Sequence, residues 1–234
     1  SLENILNQVS ELEKIPYYYA LTDYYIYNAP QKAIRLANEF LILAEKHDST
    51  HIIDHCYQIL GEAYYFQENL DQSLEYFKLL LQLRLNGKED SNIAGAYNNL
   101  GIVHRAKEEY AQAIEYYQKA LEINNRINDI NGISSVNNNL GVLHEHLNLF
   151  SKARDYYSKS LEIELQLNDL EGISTSYLNL GGIHYKLRNY QQAIEFCNKS
   201  IAICDSLNYQ HSLELNYEIL YQTYKKLNNL GQAL

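Results

Sequence analysis

Residues 93–121 read IAGAYNNLGIVHRAKEEYAQAIEYYQKAL, and their apolar positions fall into two runs. Ile93, Tyr97, Leu100 and His104 are spaced by four, three and four, the step of one face of an α-helix. After a break at Glu108-Glu109 a second stripe starts, through Tyr110, Ala113, Ile114, Tyr117, Ala120 and Leu121. The stretch is therefore a helical hairpin. It recurs every 40 residues without drift: Leu-Gly stands at Leu60/Gly61, Leu100/Gly101, Leu140/Gly141 and Leu180/Gly181. An aromatic or histidine follows at Tyr64, His104, His144 and His184, and a small residue at Ser73, Ala113, Ala153 and Ala193. A repeat of this length marks a stacked array in which each unit buries its apolar face only against its neighbours.

A glycine inside a helix costs about 1 kcal/mol against alanine, so four in register need compensation. We expect them to let the paired helix approach closely, with the small residue at 73, 113, 153 and 193 as the matching contact. The linkers from Asn128-Asp129 to Gly132 and from Asn168-Asp169 to Gly172 carry helix-stop and N-cap residues and are short enough only for tight antiparallel stacking. The ends depart from the rule, with Leu21 and Tyr221 at the glycine position and Pro16 and Pro30 only near the start, as terminal repeats do. The expected organisation is a capping helix or repeat remnant over 1–13. Units of about 14–53, 54–93, 94–133, 134–173 and 174–213 follow, and a truncated one over 214–234. This makes five to six hairpins in one domain, read as a fragment of a longer protein.

Bulk properties narrow the function. The net charge is −10 and the 19 Lys and Arg are scattered, which argues against a nucleic-acid partner, since phosphate binding needs a basic stripe. No apolar run approaches the roughly 20 residues that span a bilayer, so no membrane insertion is expected. Cys56, Cys197 and Cys204 have no CxxC spacing and fit a reduced interior; Cys197 stands where the register places Phe77, Tyr117 and Tyr157, and reads as core filler. The expected compartment is the cytoplasm, with the periplasm left open because the native N-terminus is not seen.

Leu100-Gly101, His104, Ala113, Tyr117 and Ala120 resemble the Leu-Gly, Tyr, Ala, Phe and Ala signature of tetratricopeptide repeats, and the likeness runs over residues 14 to 234. The usual unit of that family has 34 residues. The 40-residue variant resembles the longer-helix repeats of kinesin light chain, of Gly-Leu-rich polarity adaptors and of bacterial Rap-type and sensor-associated arrays. The resemblance implies an all-α, right-handed superhelical solenoid of antiparallel helix pairs whose concave wall, built from first helices, holds an extended peptide or partner helix.

On each first helix the residues opposite the buried stripe should line that groove: Tyr65 in one unit, Asn98, Asn99 and Arg105 in the next, then Asn138 and Asn139, then Asn179 and Tyr185. Asparagine is poor in a helix interior by several tenths of a kcal/mol, so Asn99, Asn139 and Asn179 stacked in register call for a reason. An amide both donates and accepts, and a ladder of them can pair with peptide backbone without reading sequence. The resemblance implies the same, because in related domains an Asn just before the Leu contacts peptide backbone. The carboxylate-clamp pattern is missing: 55, 95, 135 and 175 are His, Gly, Ser and Thr where Lys is needed. Tyrosine is abundant, 23 of 234 residues; Tyr116, Tyr117, Tyr156 and Tyr157 read as packing, whereas Tyr65, Tyr185 and Arg105 suit ligand anchors.

The chemistry-bearing alternatives are thin. His51 and His55 share a helix face as two metal ligands can, but Ile52 breaks the HExxH motif and no metal is expected there. His104, His144 and His184 stand on successive repeats on the order of 10 Å apart and cannot share one ion. No phosphate-cradling loop or nucleophile elbow is present, so no cofactor and no catalysis is expected. The reading is a non-catalytic protein- or peptide-binding module, the sensory or regulatory part of a larger bacterial signalling protein. The alternatives are a self-associating scaffold or a domain docking its own output domain, and, remotely, a metal-responsive sensor through His51 and His55.

Overall fold

The computed structural model describes Leu6 and residues 8–227, and among these every regular element is helical. A 3-10 turn, Leu12–Lys14, leads into α1 (Ile15–Asn28) and α2 (Pro30–Lys46). Then come α3 (Thr50–Phe66), α4 (Leu70–Gly87), α5 (Asp90–Ala106), α6 (Tyr110–Ile127), α7 (Ile130–His146), α8 (Phe150–Leu167), α9 (Leu170–Lys186), α10 (Tyr190–Leu207) and α11 (Gln210–Lys226). Most of the expected N-terminal cap, and residues 228–234 of the expected truncated unit, lie outside the described residues. The chain divides into two compact units, residues 1–123 and 124–234.

Helices of 17 or 18 residues follow one another from α2 onward, and each from α2 to α10 is stopped by one residue in the left-handed region. These residues are Asp48, Glu68, Lys88, Glu108, Asn128, Asn148, Asn168, Arg188 and Asn208, with φ between 49° and 63°. They recur every twenty positions, so the turn inside a hairpin and the turn between hairpins use the same reversal. Asparagine tolerates this conformation, whereas Lys, Arg and Glu adopt it at a steric cost. The next helix is then capped where the sequence allows it: Asp129 accepts from the Gly132 N–H at 3.0 Å and Asp169 from the Gly172 N–H at 3.1 Å.

In the first unit α1–α5 and most of α6 pack in sequence. Tyr18, Phe40 and Cys56 fill the core at one end and Phe77, Leu80, Leu100 and Val103 at the other. The helical glycines are recesses for rings. A Cβ at Gly61 would lie 2.6 Å from Phe77 Cε1, and one at Gly101 would lie 2.5 Å from Tyr117 Cε1. The close approach matches the sequence expectation, but the contact partner is corrected: the ring of the second helix, not the small residue, occupies the recess. The small residues are buried beside it, and the Ser73 hydroxyl donates to the Gly61 carbonyl at 2.7 Å.

The second unit repeats the device. Tyr157 lies under Gly141, and where Cys197 replaces the ring, its Sγ would be 2.6 Å from a Cβ on Gly181. The three cysteines are free and buried. The buried face of each first helix is also wider than one stripe. On α3 Ile59 is buried together with Cys56 and Ala63, because the helix is packed from both sides. Polar seams run between the two helices of a hairpin. In the first unit the Arg84 guanidinium grips both Asp54 carboxylate oxygens at 2.8 Å; in the second, the Ser134 and Ser160 hydroxyls both donate to Glu164 Oε1, at 3.0 and 2.8 Å.

Candidate peptide-binding face

Three successive first helices of the first unit line one pocket. Tyr27 comes from the end of α1, Glu62, Tyr65 and Phe66 from α3, and Asn99 and Ile102 from α5, over the ring of Phe77 from α4. The cavity measures about 210 Å³. Tyr27 is 70% exposed and Phe66 44%, high values for aromatic rings in a folded chain. The Tyr27 and Phe66 rings meet edge to face at 5.1 Å, and Tyr65 meets Phe66 the same way at 5.7 Å. Helical spacing explains the arrangement: Glu62, Tyr65 and Phe66 are three and four residues apart and share a face, as do Asn99 and Ile102.

The carboxylate in this pocket is oriented by a relay. Arg84, already bound to Asp54, also donates to Gln58 Oε1 at 2.8 Å, which leaves the Gln58 amide to donate to Glu62 Oε1 at 3.1 Å. Burial raises the Glu62 carboxyl above its ordinary value, opposed by the hydrogen bond from Gln58.

Of the residues expected from sequence, the structure brings Tyr65 and Asn99 together in this pocket. Asn98 and Arg105 are half-buried on α5, with the Arg105 charge beside the Tyr117 hydroxyl. In the second unit Asn138, Asn139, Asn179 and Tyr185 are all half-buried. Asn179 Nδ2 donates to Asn138 Oδ1 at 2.9 Å, so its cross-helix partner is Asn138 and not the in-register Asn139. Tyr185 leans on Tyr190 of its own hairpin, ring centres 6.1 Å apart. Asn179 also lines a second cavity of about 260 Å³ with Val142, Glu145, His146, Tyr157 and Lys186. Its acid is neutralised internally: Glu145 accepts from Lys186 Nζ at 2.7 Å and from the Tyr157 hydroxyl at 2.8 Å.

His51 and His55 do not converge. His55 Nε2 lies 3.0 Å from the Thr22 hydroxyl, its ring packed on Tyr19, while exposed His51 faces Ser49. Among the described residues no group of three or more His, Cys, Asp and Glu is placed to hold a metal ion. His104, His144 and His184 serve as core plates, lying against Tyr116, Tyr156 and Phe196 at 5.1, 4.9 and 5.2 Å. Sequence reasoning missed Tyr27 and Phe66. Their signal is a departure from register, since the positions equivalent to Phe66 hold Ala106, His146 and Lys186.

A tetratricopeptide-repeat sequence profile matches residues 49–126, 92–166 and 132–206 in overlapping register. The chain belongs to the tetratricopeptide-repeat family. Tetratricopeptide repeats are protein-binding modules, and this chain is one by its repeats. No curated protein matches it in sequence. Among solved structures it is similar to BtubC (BKLC) from P. vanneervenii, at 18% identity and TM-score 0.76, over 88% of this chain and 87% of that one. A signal-transduction ATPase with numerous domains and a tetratricopeptide-repeat sensor, from Pyrococcus horikoshii, matches at 20% identity and TM-score 0.75, over 99% of this chain but 37% of that one. A Rap protein complexed with competence and sporulation factor matches at 16% identity and TM-score 0.68, over 95% and 73%. At these identities the likeness is one of fold: a solenoid of paired helices, as the resemblance implied. No helix of the described residues is long and apolar enough to cross a membrane.

Proposed function

We propose that the chain is a non-catalytic module that holds a peptide or protein segment along its first-helix faces, as the sensory or regulatory part of a larger protein. The observation that carries this reading is the pocket of the first unit, where three successive first helices present exposed rings, a half-buried amide and a carboxyl group toward one cavity. Aromatic side chains give large contact area at little entropic cost, and an amide beside them can pair with peptide backbone. Asn138, Asn139 and Asn179 supply the same chemistry in the second unit. The printed descriptions of two similar structures, a sensor in one and a complex with a signalling factor in the other, support a regulatory role.

The test is selection of phage-displayed random 12-residue peptides on the purified chain, followed by affinity measurement of the selected peptides on wild type and on Tyr65→Ala/Asn99→Ala, with circular dichroism to verify that the variant is helical. Loss of an anchoring aromatic and an amide should weaken binding by about tenfold or more. Peptides that bind the folded variant as tightly as wild type would place recognition elsewhere. A second reading, self-assembly, is favoured by the exposed Leu215, Tyr217 and Tyr221 of α11. Light scattering at two concentrations separates it: a concentration-dependent mass supports assembly and a constant monomer mass removes it.

A further inference from the structure

The occupant of the Tyr27–Tyr65–Phe66 pocket can be specified further, an inference that rests on the peptide-binding reading above. We propose that this pocket takes one basic side chain of the bound segment, lysine or arginine, with its stem against the three rings and its charge at Glu62. The argument is one of charge complementarity. Glu62 is the single ionisable acid among the pocket residues, and those residues include no Lys, Arg or His. Two other partly buried acids on first helices have a cation of their own, Asp54 in Arg84 and Glu145 in Lys186, and Glu164 is held inside its hairpin by two serine hydroxyls. Glu62 instead receives a neutral amide from Gln58, because the nearby guanidinium of Arg84 is spent on Asp54, on Gln58 Oε1 and on the Asn92 carbonyl at 3.0 Å. Desolvation first, and the negative charge of Asp23 with it, raise the carboxyl's proton affinity against the Gln58 hydrogen bond and the charge of Arg84. A carboxylate in that condition gains more from an incoming cation than a fully solvated one does, since part of its hydration is already lost on burial.

The rings favour the same occupant. A cation over the face of a tyrosine or phenylalanine is attracted by the ring quadrupole, and the molecule already uses this contact on other faces, where Lys32 lies 4.7 Å from the Tyr25 ring centre and Lys119 5.4 Å from that of Tyr116. Long basic side chains have an apolar stem as well as a charged tip, so walls of Tyr27, Tyr65, Phe66 and Ile102 with an acid at one side match both parts. The cavity of about 210 Å³ suits one such side chain and not a helix. A neutral aromatic or aliphatic side chain would fill the rings but bring the Glu62 carboxylate no counter-charge beyond the neutral Gln58 amide.

The experiment compares random 12-residue phage libraries selected on wild type and on Glu62→Gln, which keeps the shape and the Gln58 contact. Wild type should enrich peptides with Lys or Arg at one fixed position. Replacing that residue in a synthetic peptide, by norleucine for Lys or citrulline for Arg, should weaken binding by about tenfold or more, Glu62→Gln should do the same, and the two changes together should cost little beyond either alone. Enrichment of an apolar residue at that position, with equal affinity for Glu62→Gln, would overturn the cationic occupant while leaving the groove intact. Peptides insensitive to both Glu62→Gln and Tyr65→Ala/Asn99→Ala would overturn the groove reading itself. Free argininamide or lysinamide is the remaining arm: binding as tight as the peptide's would overturn a peptide source in favour of a small cation.

Discussion

At Gly101 a methyl group would meet the edge of the Tyr117 ring at 2.5 Å, whereas at Gly95, six residues earlier on the same helix, it would meet only Arg84 Nη1 at 3.5 Å. Both substitutions gain about 1 kcal/mol of helix propensity, but the first must also displace a fully buried ring, at about 1–3 kcal/mol. Gly101→Ala should therefore lower the urea midpoint and Gly95→Ala should hold or raise it, both followed by circular dichroism; equal effects would refute the recess. The sequence made the close approach legible because glycine in a helix needs a cause. It did not reveal the partner, since small-on-small packing and a ring laid over a bare Cα leave the same pair of periodic marks. Only the structure distinguishes Tyr117 from Ala113 as the neighbour.

The helices themselves were readable from period alone: four apolar positions in fixed register predicted each hairpin, and the breaks at 68, 108, 148 and 188 mark its turns. The left-handed residue is legible at Asn128 and Asn168, which read as helix stops, but not at Glu68, Lys88, Glu108 and Arg188, which are not residues that announce it. They sit there because the helix lengths on either side are fixed by packing, and the turn takes whatever residue arrives. Relieving that strain should help. Lys88→Gly removes about 1–2 kcal/mol of left-handed cost against about 0.5–1 kcal/mol of added chain entropy, so a gain of about half to one kcal/mol is expected in chemical denaturation. A loss would mean that the Lys88 side chain, not its backbone, is what matters there. The same logic governs the site. Tyr65 and Asn99 were found because they lie on a face the repeat defines, while Tyr27 and Phe66 interrupt the repeat and were passed over. In this molecule recurring positions build the scaffold and irregular ones shape the pocket.

For the molecule as a whole, abundant tyrosine and buried cysteine make alkali the weak flank. Burial pushes the Cys56 and Cys197 thiols from an ordinary 9.0 up to about 12, and burial chiefly lifts the Tyr117 phenol from an ordinary 10.0 to about 12. Tyr18, Tyr19, Tyr57 and Tyr76 are raised too, burial being the first cause in each. The folded chain thus keeps protons that the unfolded chain releases, so this stability is intact below pH 9 and drains as pH climbs toward 12. The slope is about 1.4 kcal/mol per pH unit for each fully buried thiol. Urea midpoints at pH 8 and pH 10 should show the fall; equal midpoints would remove the linkage. The turns carry a further consequence. One extra residue inside a helix swings all that follows it in that helix by about 100°, taking Tyr117, for example, off Gly101. Forty residues cut or added between equivalent turns bring every ring back over its glycine. Such a chain can grow and shrink by copying whole paragraphs, but a single slipped letter is a misprint that its core reads at once.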